Sequence, residues 1–128
     1  IMMRLQSDLV VLIEHALAGT LDKATAEFDP RPAVGVVLAA GGYPGSYAKG
    51  DIISGLSLGN SDAKVFHAGT KDIDGQVTTN GGRVLCATAL GNSVTDAQRN
   101  AYELVKHISW NGMFYRDDIA YRAIARES

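Results

Sequence analysis

Glycine, arginine and histidine are the residues of this 128-residue sequence whose types and spacing could do chemistry. Gly41-Gly42-Tyr43-Pro44-Gly45 directly follows an apolar run. Glycines placed there let backbone N–H groups approach a phosphate or carboxylate closely. The segment lacks the G-x-G-x-x-G spacing and the Lys-Ser/Thr of a P-loop, and no helical pattern follows it. The competing reading is a plain turn, since Gly and Pro are the ordinary turn formers. Thr79-Asn80-Gly81-Gly82-Arg83 is the second candidate. Asn-Gly is a strong hairpin signal, and a tight turn would present Arg83 and free N–H groups to an anion. Arginine grips phosphate or carboxylate through two parallel hydrogen bonds. The alternative is an ordinary turn, with Arg83 a surface charge or the partner of Asp51 or Asp74.

Phe66-His67-Ala68-Gly69-Thr70-Lys71 offers His67 as an acid or base near neutral pH, but no matching nucleophile is visible. His15, His67 and His107 stand far apart and show no metal-ligand spacing. His67 therefore reads as a hydrogen-bonded structural residue, and Asp51, Asp72 and Asp74 read as solvated turn residues. Cys86 has no cationic neighbour in sequence and is predicted to be buried and inert. Ion pairs within Tyr115-Arg116-Asp117-Asp118 and Tyr121-Arg122 are expected to seat the tail. No paired acid and base, activated nucleophile or metal cluster emerges, so no catalytic and no metal-binding residue is predicted here.

The elements that must position these groups follow from periodicity. Leu5, Leu9, Leu12, Ile13, Ala16 and Leu17 recur at helical spacing and predict a helix over residues 3–18. Ser7 and Asp8 are alternative starts, and Gly19 suits a left-handed cap. Residues 20–32 end in Asp29-Pro30-Arg31-Pro32 and read as an extended linker. Residues 33–40 and 83–90 predict buried strands, with shorter strands at 51–54, 64–67 and 76–79. Turns are expected at Asp72-Ile73-Asp74-Gly75 and Asn80-Gly81-Gly82, with a surface loop at 56–63. Ser93 with Asp96 resembles a capping box for a second helix, ended by Trp110-Asn111-Gly112. The sum is an α+β fold: a β-rich, mostly antiparallel small domain with an N-terminal and a C-terminal helix. Strands this closely spaced leave no room for the crossover helices of a doubly wound sheet.

Composition narrows the function classes. Hydrophobic residues are 46%, enough for a real core, and net charge is −2 with no basic run. That balance argues against nucleic acid or an anionic membrane as partner. The apolar run at 33–40 is too short to span a bilayer, and no signal-peptide pattern appears. One cysteine cannot form an internal disulfide, which fits a cytoplasmic location. The opening Ile1-Met2-Met3 predicts that the sequence begins inside a longer polypeptide.

Taken in order, the segments resemble a known family. They are Ser7-Asp8-Leu9, Ala40-Gly41-Gly42-Tyr43-Pro44-Gly45 with Tyr47 and Lys49-Gly50, Phe66-His67-Ala68-Gly69-Thr70, Thr79-Asn80-Gly81-Gly82-Arg83-Val84-Leu85, Tyr115-Arg116 with Asp118-Ile119, and Arg122-Ala123-Ile124. Together they are similar to the C-terminal portion of glycinamide ribonucleotide synthetase, an ATP-grasp ligase family. Two positions depart from its pattern, Ser46 for an acidic residue and Ala120 for glycine; the latter suggests that the backbone avoids positive φ there. The resemblance implies an intact enzyme that uses ATP and Mg (or Mn) to join glycine to phosphoribosylamine. It implies that residues 1–32 are the last helix of the ATP-grasp core plus a linker, and that 33–128 are the C-terminal β-rich domain. The partner would be the missing N-terminal core, and no cofactor would be held by this stretch alone. Substrate binding would fall to Gly41, Gly42, Tyr43, Pro44, Gly45, Gly81, Gly82 and Arg83. The competing reading is a stand-alone small anion-binding or structural domain without catalysis.

Overall fold

Val34, Val36 and Leu38 are buried, whereas Gly35 and Val37 between them are exposed. A period of two marks a strand with one packed face and one open face. The computed structural model describes every residue except Leu58 and Ser128. It runs α1 (Leu9–Leu17), β1 (Ala33–Ala39), β2 (Ala63–His67), β3 (Thr70–Ile73), β4 (Gln76–Thr79), β5 (Arg83–Leu90), α2 (Val94–Val105) and α3 (Tyr121–Glu127). β5 lies between β1 and β2 and is antiparallel to both. β3 and β4 form a separate two-stranded sheet.

One face of the larger sheet packs on α2. Val36, Leu38, Leu85, Ala87 and Ala89 are fully buried and meet Ala97, Ala101, Leu104 and Val105 of the helix. Alanines on both surfaces let helix and sheet approach closely. Burying a side chain such as Leu38 or Leu85 is worth about 1.5–3 kcal/mol. Ser93 caps α2 by accepting from the Asp96 N–H at 3.0 Å. The Asp96 carboxylate pairs with Arg99 at 2.7 Å, so only half of the expected capping box forms. The Glu127 carboxylate instead accepts the Val94 N–H, at 2.9 and 3.0 Å, and puts negative charge at the helix N-terminus. The Tyr102 hydroxyl donates to the Arg116 carbonyl at 2.6 Å and accepts from the Ile119 N–H at 3.1 Å. Burial raises the pKa of that hydroxyl, which keeps it a donor.

The other sheet face carries Gly35, Val37, Lys64, Phe66, Cys86 and Thr88 and stays partly or fully accessible. α1 is similarly open. It has no buried residue, and Leu9, Val10, Val11, Ile13 and Leu17 are all exposed, the last by 84%. What ties residues 1–32 to the sheet is chiefly Arg31, which bonds Asp29 at 2.7 Å and Asp62 at 3.0 Å. The Gly91 N–H also donates to the Pro32 carbonyl.

Several expectations change. Of the starts the sequence offers for the first helix, the one at Asp8 is adopted rather than residue 3: its carboxylate takes the Val10 and Val11 N–H groups, and Leu5 pairs with Phe28 in a β-bridge. Residues 51–54 make only single bridges, Ile52 to Thr78 and Ser54 to Ser109. The expected loop at 56–63 includes Leu58, which lies outside the described residues, as does Ser128 of the tail. The second helix ends at Val105, well before Trp110. Asn80-Gly81-Gly82 joins no hairpin, because β4 and β5 belong to different sheets. Ala120 has φ of 71°, so positive φ is adopted without glycine at the entry to α3, an element the sequence did not reveal. Arg116 pairs locally with Asp118, while Tyr102, Gln98 and Glu127 make the tail's bonds to α2 and its start. Cys86 is partly accessible on the open face rather than buried.

Two outcomes follow. The Arg31 side chain, helped by its backbone N–H, holds the Asp29 carboxyl below the usual carboxylate range. A depressed folded value contributes stability above the unfolded value and loses it as pH falls through the folded one. The Asp29 anchor should therefore be intact at neutral pH and fail only below the ordinary aspartate range. Carbon-detected NMR titration checks this, and an Asp29 carboxyl titrating at or above the ordinary value contradicts it. Cys86 should react with iodoacetamide in the folded 128-residue chain. A thiol modified only after denaturation would contradict the open sheet face.

Candidate functional site

Because β5 runs antiparallel to both neighbours, its start lies beside the ends of β1 and β2. Ala39 pairs with Arg83 and His67 with Leu85. The three glycine-bearing motifs therefore emerge at one end of the sheet. Backbone hydrogen bonds fasten them together. The Ala40 N–H donates to the Gly82 carbonyl at 2.8 Å, the Gly69 N–H to the Arg83 carbonyl at 2.9 Å, and the Asn80 N–H to the Gly69 carbonyl at 2.7 Å. Gly81 and Gly69 touch backbone to backbone. A Cβ on Gly69 would lie 2.7 Å from the Gly81 Cα, so neither position has room for a side chain.

An open groove of about 560 Å³ lies at this end. Val37 and Cys86 supply apolar surface, Tyr43 an aromatic wall, and Arg83 a cation, with Ala68, Gly69, Gly82 and the fully buried Leu85 completing the lining. Arg83 is exposed, and no ion pair among the described residues involves Arg83, Asp51 or Asp74. The internal-partner alternative for Arg83 is therefore not what the fold adopts. Among the described residues, the N–H groups of Gly81 and Gly82 have no hydrogen-bond acceptor. The arrangement offers an anion the Arg83 guanidinium beside apolar surface, where charge-assisted bonds are strong.

Of the residues singled out from sequence, Tyr43, Gly82 and Arg83 line the groove. Gly41, Gly42, Pro44 and Gly45 form the adjoining loop, and Gly81 packs on Gly69, without lining it. Val37, Ala68, Gly69, Leu85 and Cys86 are additional. Gly69 had a signal in the Phe66–Thr70 motif; Val37 had none, because β1 is apolar at every position and hides its alternation. His67 Nδ1 lies 3.1 Å from the Thr70 hydroxyl, the local hydrogen bond expected of a structural histidine. Asp72 accepts the Gly75 N–H, as a turn residue does. Among the described residues no group of three or more His, Cys, Asp or Glu could hold a metal ion. A second groove of similar size, with Asn60, Asp62, Asn100, Glu103 and His107, lies at the opposite end of the sheet and includes none of these motifs. Among the described residues no helix is long and apolar enough to cross a membrane.

Comparison with known proteins agrees with this architecture. A family model described as "Phosphoribosylglycinamide synthetase, C domain" matches residues 33–122. The phosphoribosylamine–glycine ligase of Pseudomonas putida (strain KT2440) is 66% identical over 128 residues, covering 99% of this chain and 30% of the relative. The ligase of the same name from Vibrio cholerae serotype O1 shows the same identity and coverage. The crystal structure of phosphoribosylamine–glycine ligase from Thermotoga maritima is 37% identical, with a TM-score of 0.64 over 83% of this chain and 27% of that one. The chain thus spans under a third of the length of these relatives. With the matched region running from the start of β1 into α3, the chain belongs to the phosphoribosylglycinamide synthetase C-domain family.

Proposed function

We propose that this chain is the C-terminal part of a ligase that joins glycine to 5-phosphoribosylamine, converting ATP to ADP and phosphate, in purine biosynthesis. The observation that carries the reading is 66% identity, across 99% of this chain, to proteins named phosphoribosylamine–glycine ligase. In this reading residues 1–32 are the last helix of the ATP-grasp core plus a linker, and 33–128 form the C-terminal domain. The exposed apolar side of α1 supports that division, since such a surface is ordinarily covered. The partner is the preceding ATP-grasp core of the same polypeptide, and the location is the cytoplasm.

The domain's part is to close one side of the cleft. Gly41–Gly45 and Gly81–Arg83 form its ligand-facing edge. Arg83 and the N–H groups of Gly81 and Gly82 would hold an anionic group of ATP, glycine or phosphoribosylamine in place. Val37 and Cys86 would exclude water beneath it. ATP, when bound, supplies the phosphoryl group that activates the glycine carboxylate toward the amine. Magnesium (or manganese) would be held by the core in this reading.

Arg83→Ala in the complete ligase should weaken binding or turnover by roughly ten- to a hundred-fold, the equivalent of about 1.5–3 kcal/mol for a charge-assisted contact. Steady-state kinetics check this; unchanged KM and kcat with the fold intact would remove Arg83 from the site. The 128-residue chain alone should neither hydrolyse ATP nor form glycinamide ribonucleotide. EDTA-sensitive turnover by the purified chain would refute the supporting role assigned to it.

A further inference from the structure

We infer that Tyr43 is a positioning residue: its ring, seated on Gly82, fixes the turn that carries Arg83 and so fixes where the guanidinium stands in the groove. The inference rests on the reading of Arg83 as a ligand contact, and it deepens that reading by naming what aims it.

The contact is direct. A Cβ built on Gly82 would fall 2.2 Å from Tyr43 Cδ2, 2.6 Å from Cε2 and 3.1 Å from Tyr47 Cε1. No carbon atoms approach so closely, so the ring occupies the space that any side chain at residue 82 would need. Gly82 is buried although it lies in a turn. On its other side the turn meets backbone, with Gly81 against Gly69. Residues 81–82 are thus held between the Tyr43 and Tyr47 rings, whose centroids are 6.3 Å apart, and the Gly69 chain. The ring side is also tied by backbone. The Tyr43 N–H donates to the Ala40 carbonyl at 3.1 Å, and the Ala40 N–H donates to the Gly82 carbonyl at 2.8 Å. No hydrogen bond among the described residues engages the Tyr43 hydroxyl. The contact therefore depends on the ring and not on its polar end. Arg83, which has no ion pair among the described residues, is the first residue of β5 and follows this turn directly. One aromatic contact thereby couples the two loops that the fold brings together.

The test uses Tyr43→Ala, Tyr43→Phe, Gly82→Ala and the double variant Gly82→Ala/Tyr43→Ala in the 128-residue chain. Amide hydrogen exchange is read by NMR, and thermal unfolding is followed through Trp110, the single tryptophan. Tyr43→Ala should speed exchange about tenfold at the amides that fasten this turn, those of Ala40, Gly69 and Asn80, and leave α2 unchanged, as expected for loss of one aromatic contact. Tyr43→Phe should behave as the parent. Gly82→Ala probes the same contact from the other side. It should loosen the same amides, and the double variant should be no looser than the worse single one. In the complete ligase Tyr43→Ala should raise the KM of an anionic substrate about tenfold with kcat little changed, and Tyr43→Phe should restore it. Turn amides unaffected by both Tyr43→Ala and Gly82→Ala overturn the inference whatever the ligase does. Loosened amides together with a silent Arg83→Ala support the role of Tyr43 while overturning the ligand reading beneath it.

Discussion

The antiparallel pairing of β5 with strands on both sides is the constraint on which the rest depends. It brings the start of β5 to the ends of β1 and β2, and so collects three separated glycine-bearing segments at one sheet end. It also makes β5 the central strand, where Ala87 and Ala89 are fully buried under α2. Their small size lets the helix sit close, and the helix holds the tail through Tyr102, Gln98 and Glu127. The site end and the supporting end of the domain thus hang on one strand.

Much of this is legible before any coordinates. The apolar run at 33–40 and the branched and small residues at 83–90 both become strands, because short continuous apolar runs have few other uses in a small domain. Ser93 starts α2 as its hydroxyl chemistry requires, and the Asp72 turn closes the β3–β4 hairpin. The glycine motifs are plain in the sequence, but not that they meet at one end of the sheet, nor how they are joined there. Asn80-Gly81 has the composition of a hairpin turn, yet long-range pairing of β5 with β1 takes the chain into another sheet. Local propensity cannot see that competition. Nor can it see which face of a uniformly apolar strand stays open, which is why Val37 and Cys86 were not recognised as groove residues. Ala120 is a similar case, since its positive φ at the entry to α3 has no glycine to announce it.

Two surfaces are left uncovered: the face of the sheet that α2 does not cover, and the apolar side of α1. An exposed apolar surface of this kind is unusual on a self-sufficient domain. This region makes up 30% of the length of the Pseudomonas putida relative.

The central claim is that the end of the sheet bearing Arg83 faces the ligands. Hydrogen exchange of the complete ligase, measured by mass spectrometry with and without ATP plus glycine, tests it most directly. Within this region, protection should concentrate at residues 41–45, 68–69 and 80–83, with little change around Asn60, Asn92 and His107 at the opposite end. Protection at that opposite end, with the glycine loops unchanged, would contradict the account.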